Sequence, residues 1–238
     1  YWRQSMTRFD VQSRVDSTLM SNLRIMRRTL INQISKRCDT SKETITGVVH
    51  ALLNRSIFIK YLEERKDSNG ETVFPQDFYC NFMKSAKQYT DVLNSKEATY
   101  NLFRTLKEKF NGDTLQVSEI EAEIITQDDL NELRTFILGD SELESKQLTL
   151  WPLYSFDIIP IQLISSIYEL FFHLSEEDDE KGTYYTPLHL VNLVMDEVYP
   201  WEGEYKDTSF FDPSCGSGVF LVEAYRRLVC RWMSQNDV

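Results

Sequence analysis

The run Asp212-Pro213-Ser214-Cys215-Gly216-Ser217-Gly218-Val219-Phe220-Leu221 holds residue types that let a backbone, rather than a side chain, receive a ligand. Two bulky residues, Phe210 and Phe211, lead into it, three small ones make the turn, and an amphipathic run begins at Val219. That order reads as strand, tight glycine loop, helix. Glycines at such a junction let the backbone take positive φ. They also let a ligand approach the main chain and meet the free N–H groups of the next helix. An α/β domain builds the first half of a nucleotide-type pocket in this way, at the carboxyl end of its first strand. The dinucleotide fingerprint does not fit: its third glycine would fall at Leu221, and it has no need of the opening Asp-Pro.

A second chemistry-bearing run lies upstream, Lys181-Gly182-Thr183-Tyr184-Tyr185-Thr186-Pro187. Leu188, Val191, Val194, Met195 and Val198 follow at helical spacing. Thr186 suits an N-cap and Pro187 the first helical turn, so a helix is predicted from Pro187. If the two runs form one wall, Thr186 must come close to Gly216 in space.

Other chemistries find little support. Cys38, Cys80, Cys215 and Cys230 are scattered with no Cys-x-x-Cys pair, and three histidines offer no metal cluster, which points to a reduced compartment and no metal site. The Glu-x-Lys of metal-dependent nucleases occurs at Glu144-Ser145-Lys146, but Asp140 is too close to it and no hydrophobic strand carries it.

The elements that must position these runs are mostly helical. Helices are expected over 13–37, with Val15, Leu19, Leu23, Met26, Leu30, Ile31 and Ile34 on one face, and over 41–65, 78–93, 99–110 and 128–139, the last stopped by Gly139. Leu115-Gln116-Val117 reads as a very short strand, and Asp67-Ser68-Asn69-Gly70 as a loop. Arg24, Arg27, Arg28, Lys36 and Arg37 make the first helix the one basic segment. It reads as a contact for DNA phosphates or, more commonly for such a run, as a solvated face. The charged run 176–181 reads as a solvated connector or a lid.

Composition sets outer bounds. In 238 residues, 42% hydrophobic and 13% aromatic content is ample for a core, and only 8 Gly and 6 Pro favour helices over a strand-rich sandwich. No apolar run is long enough to span a membrane and no signal peptide is visible, so a cytoplasmic protein is expected. The formal charge of −11 disfavours this chain as the main grip on DNA, since phosphate contacts need Lys and Arg.

The string Asp-Pro-x-Cys-Gly-Ser-Gly-x-Phe-Leu resembles the S-adenosylmethionine-binding motif of amino-group DNA methyltransferases, the adenine-specific branch in particular. Gly-x-Tyr-Tyr-Thr-Pro, about 25 residues earlier, resembles that family's other cofactor motif. Their order resembles the gamma class, which includes type I modification subunits and fused type II restriction–modification enzymes. Residues 52–65, Phe156-Asp157-Ile158-Ile159-Pro160 and Ile167-Tyr168-Glu169-Leu170-Phe171 extend the likeness. The resemblance implies S-adenosyl-L-methionine as cofactor and adenine in DNA as target. Asp212, Pro213, Cys215, Gly216, Ser217, Gly218 and Phe220 would then line the cofactor, and Tyr185, Thr186 and Pro187 would flank it. It implies DNA as partner, gripped by another domain or subunit, with restriction and specificity subunits alongside.

One departure is plain. The family's catalytic loop, Asn/Asp-Pro-Pro-Tyr/Phe, needs a Pro-Pro dipeptide that this chain lacks, and no second strand ends in an acidic residue to hold a ribose. With Tyr1 in first place, the chain reads as an internal piece of a longer protein, inactive alone. The expected fold class is mainly α. A helical amino-terminal or connector domain would occupy residues 1–170. The opening strand and helices of a truncated Rossmann-like methyltransferase domain would occupy 171–238. The alternative is a non-catalytic helical module for domain or subunit association.

Overall fold

The structure, a computed structural model, describes residues 11–67, 69–110, 115–139, 156, 167, 186, 188–216 and 218–236. The chain divides into two compact units, Tyr1–Ile159 and Pro160–Val238. The boundary expected after residue 170 falls outside the described residues, as does the charged run 176–181.

The first unit is helical where it is described. Helix α1 spans Val11–Arg37 and α2 spans Lys42–Glu64. A 3-10 turn at Phe78–Asn81 and the short α3, Tyr89–Val92, follow. Then come α4 (Lys96–Phe110), α5 (Glu119–Ile124) and α6 (Gln127–Leu138). Among the described residues no strand forms, and Lys66 and Thr72 make an isolated antiparallel bridge. No helix among them is long and apolar enough to cross a membrane.

Helical periodicity accounts for the core. Leu19, Leu23, Met26, Leu30 and Ile34 recur every three or four residues along α1 and are buried. They face α2, whose Ile45, Val49, Leu52, Leu53 and Ile57 are buried in turn. Each such side chain contributes about 1.5–3 kcal/mol by leaving water. Caps set the helix ends. Ser41 accepts the Thr44 N–H at 3.2 Å and Ser118 that of Glu121 at 3.2 Å. Gly139 closes α6 in the left-handed region, φ +63°, as its position after the last periodic residue predicts.

Two expectations fail, each for a local reason. The single helix expected over 78–93 is a turn and a separate short helix. Asp91 accepts the N–H groups of Lys87 at 2.9 Å and Gln88 at 3.2 Å, so its carboxylate restarts the chain at Tyr89. The strand expected at Leu115–Val117 does not form. Leu115 is buried, but the Gln116 carbonyl, which a ladder would use, accepts from Arg55 at 2.6 Å.

Arg55 also donates to both oxygens of Glu121, at 2.6 and 3.2 Å, and lies 4.6 Å from the Phe103 ring centroid. Arg55 and Glu121 are at most 1% exposed. Near the end of α2, Lys60 pairs with Glu63 at 2.6 Å and Glu64 at 2.9 Å. Glu63 accepts the Tyr89 N–H at 2.6 Å and Glu64 that of Phe156 at 2.8 Å. Arg55, Lys60, Glu63 and Glu64 therefore serve contacts within this unit.

His50 on α2 accepts a hydrogen bond from Arg27 Nε at 2.6 Å. Burial, and next the Arg27 charge, lower its pKa from 6.5 to about 4. Between those values the unfolded chain binds a proton that the folded chain refuses. The associated stability is fully present above the unfolded pKa and is lost as pH falls toward 4. Discounted for partial exposure, its size is about 2 kcal/mol. His50→Gln is expected to flatten the fall in urea-measured stability from pH 6.5 to 4; the same slope in both proteins would refute the assignment.

Candidate functional site

The second unit is built on α7, Leu188–Val198, and α8, Val219–Gln235. Val191, Met195, Tyr199, Val219 and Ala224 are buried together, with Leu188, Phe210, Phe220 and Leu228 packed against them. Val194 and Val198, expected on the core face of α7, are 46% and 68% exposed.

Charged residues on the inward face of α8 hold the connection between the helices. Glu223, Arg227 and Arg231 follow at four-residue spacing and are all at most 9% exposed. Arg227 donates to Glu223 at 3.0 Å and to the Tyr199 carbonyl at 3.0 Å, and pairs with Asp196 at 2.8 Å. Arg231 lies 3.8 Å from the Tyr199 ring centroid and donates to the carbonyls of Pro200, Glu202 and Glu204. Gly203 takes φ of +141°, which side chains rarely adopt, and a Cβ there would crowd the Arg231 guanidinium at 3.1 Å. The sequence reading missed these arginines. The available signal was charge at helical spacing on a face that also carries Ala224 and Leu228.

These contacts fix the direction of the pair. Asp196 meets Arg227, and four residues later Pro200 meets Arg231. The contacts advance the same way along both segments, so α7 and α8 run parallel, with their amino ends on the same side. Thr186, half-buried and non-helical, stands just before α7. Gly218 stands just before α8. The helix expected from Pro187 begins at Leu188; Tyr185, Pro187 and Ser217 lie outside the described residues.

The glycine loop has the predicted backbone. Gly216 and Gly218 take φ of +51° and +79°. The Asp212 carboxylate accepts the Ser214 N–H at 3.0 Å, and the Gly218 N–H donates to the Cys215 carbonyl at 2.6 Å. Ser214, Cys215 and Gly216 are exposed. Gly218 makes no side-chain cap, so the first N–H groups of α8 keep no intrahelical partner. A Cβ on Gly218 would meet nothing within 4 Å, which leaves open space over the turn.

The strand expected at Phe210 and Phe211 does not form among the described residues. A lone strand has no partner for its backbone groups. Phe210 instead packs edge-on against Tyr199, at 5.0 Å between centroids, and Phe211 is 89% exposed. Val194, Val198, Phe211, Asp212, Pro213 and Leu221 line an apolar cleft of about 320 Å3. Among the described residues no group of His, Cys, Asp or Glu is arranged to hold a metal ion. The arrangement offers backbone donors, an apolar wall and open space, which is the equipment of a binding site.

Residues 160–237 match the family model described as N-6 DNA methylase. The chain is 41% identical over 74 residues to the type I restriction enzyme MjaIX methylase subunit of Methanocaldococcus jannaschii. That alignment covers 30% of this chain and 12% of the archaeal subunit, so the chain spans a small part of its relative's length. No solved structure matches the chain. By sequence, residues 160–237 are similar to the N-6 DNA methylase family, and the likeness extends to the methylase subunit of a type I restriction enzyme.

Proposed function

We propose that this chain is part of a DNA methyltransferase that moves a methyl group from S-adenosyl-L-methionine to the exocyclic amino group of adenine in duplex DNA, within a restriction–modification system. The observation that carries this reading is the loop ahead of α8. It has two glycines at positive φ, a helix whose N-cap residue has no side chain to cap it, and open space where a Cβ would sit. These features fit a ligand that bonds to main-chain N–H groups at close range. Asp212, Pro213, Cys215, Gly216, Ser217, Gly218 and Phe220 would line it. Tyr185, Thr186 and Pro187 would flank it from the start of α7. The cofactor, when bound, supplies an electrophilic methyl group; the residues named here bind and orient.

The fold that goes with this reading is Rossmann-like. The exposed apolar residues Val194, Val198, Phe211 and Leu221 suit a parallel sheet laid on that side, with Phe210 and Phe211 as its first strand. Residues 1–170 would form a helical connector domain and 171–238 the start of the methyltransferase domain. DNA recognition would come from another domain or subunit, and restriction and specificity subunits would complete the assembly around cytoplasmic DNA. The same exposed apolar residues would also suit the rival reading, a non-catalytic association module, which cofactor titration excludes or supports.

Labelled methyl transfer tests the reading. The full-length protein is expected to methylate adenine in duplex DNA. The 238-residue chain alone is expected to transfer none, because it has no Pro-Pro dipeptide with which to build the loop that grips a flipped base. Transfer by the purified chain, free of contaminating enzyme, would overturn that expectation.

A further inference from the structure

We infer that the outer face of α1 is a contact surface for the phosphate backbone of duplex DNA. The inference rests on the methyltransferase reading for the presence of DNA, and on α1 for the surface itself.

Residues 17–38 contain no Asp or Glu, in a chain of 37 acidic residues and net charge −11. The same stretch holds Arg24, Arg27, Arg28, Lys36 and Arg37. A helix face shaped only for solvent commonly mixes both signs, because opposite charges four residues apart support it. This one does not. Arginine predominates over lysine, and its planar fork is the better match to phosphate oxygens.

The structure sorts these cations. Arg27 donates to His50 and Arg37 to Asp129 at 2.6 Å, so both point toward neighbouring helices. Arg24 and Lys36 are exposed, as is Arg28, which also interacts within the protein; they lie in line with exposed Ser21, Asn32 and Ser35 and opposite the buried Leu19, Leu23, Met26, Leu30 and Ile34. From Arg24 to Lys36 the row extends about 18 Å along the helix. Guanidinium, ammonium, hydroxyl and carboxamide groups are the side chains that fix a protein on a DNA backbone without reading sequence. Acidic residues farther than about 10 Å are screened from such a face at ordinary salt, which limits the reach of the overall negative charge. This face would set the position of the helical unit on the duplex, and base recognition would lie elsewhere.

The test is the salt dependence of duplex binding by the 238-residue chain, read by fluorescence anisotropy on a labelled oligonucleotide. Each neutralised phosphate contributes about −0.9 to the slope of log K against log salt. The variant Arg24→Gln/Arg28→Gln/Lys36→Gln is expected to make the slope shallower by about 2–3 and to weaken binding at least tenfold at low salt. Lys84→Gln/Lys87→Gln/Lys109→Gln removes the same charge from exposed positions outside α1 and is expected to leave the slope unchanged. Equal effects of the two triple variants would overturn the inference, because net charge alone would then explain binding. So would tighter binding of single-stranded RNA than of duplex DNA, or no salt-dependent binding by the wild-type chain. Calorimetric cofactor titration of the full-length protein reads the methyltransferase proposal separately. Cofactor binding without an α1 effect on DNA sinks the surface and leaves the enzyme reading standing.

Discussion

Gly218→Leu is expected to abolish S-adenosylmethionine binding by the full-length enzyme, a loss of more than a hundredfold by calorimetry. Gly218 takes φ of +79°, where a residue with a Cβ is strained by roughly 1–2 kcal/mol. A Cβ at this position would meet nothing within 4 Å, so the first added atom makes no clash. The leucine would instead fill the space over the turn ahead of α8, where a ligand would lie. Gly218→Ala separates the two effects, because it carries the same backbone strain with little of the volume, and its loss should be smaller. The wild-type 238-residue chain should bind the cofactor weakly. It lacks an acidic partner for the ribose, and a hydrogen bond to a charged group contributes about 1.5–3 kcal/mol. That difference corresponds to a tenfold to hundredfold loss of affinity. Unchanged binding by full-length Gly218→Leu would make the glycine loop a structural turn and the functional reading wrong. Tight binding by the chain alone would mean that this half-site suffices.

Glu121→Ala is expected to destabilise the helical unit by about 3–5 kcal/mol, the usual result of leaving one buried charge unpaired. Arg55 would remain fully buried beside the Gln116 carbonyl and the Phe103 ring, without the carboxylate that balances its charge. Arg55→Met/Glu121→Leu removes both charges and should recover most of that loss, since a well-packed apolar pair is often no less stable than a buried ion pair. Urea denaturation of the 238-residue chain at neutral pH measures both variants. A cost below about 1 kcal/mol for Glu121→Ala would mean that water reaches Arg55 and that the pair behaves as a surface one.

The legible parts of this chain were those with a local cause. Apolar spacing placed α1, α2 and α4, and Gly139 marked the end of α6 because a left-handed stop needs no distant partner. The glycine loop was legible for the same reason: positive φ at Gly216 and Gly218 is written in the residues themselves. What escaped depended on partners far along the chain. The Gln116 carbonyl is taken by a side chain 61 residues away, so a segment with strand-type residues is not a strand. The inward arginines of α8 escaped because their partners, Tyr199, Pro200 and the following carbonyls, lie on the segment after α7. The break after Asn81 escaped because Asp91 acts backward on Lys87 and Gln88, a contact that periodicity does not register.

The parallel course of α7 and α8 has an electrostatic consequence. Every helix carries a macrodipole, equivalent to about half a positive charge at its amino end. Antiparallel neighbours would largely cancel theirs. Here both positive ends come to the same side, one behind Thr186 and one behind Gly218, which has no side chain to cap it. An anionic group at that mouth is stabilised by both, typically by 0.3–1 kcal/mol from each, and a cationic one is repelled by as much. Were the proposed zwitterionic cofactor to bind there, its carboxylate would be drawn to the helix ends and its cationic part turned away before any side chain touched it.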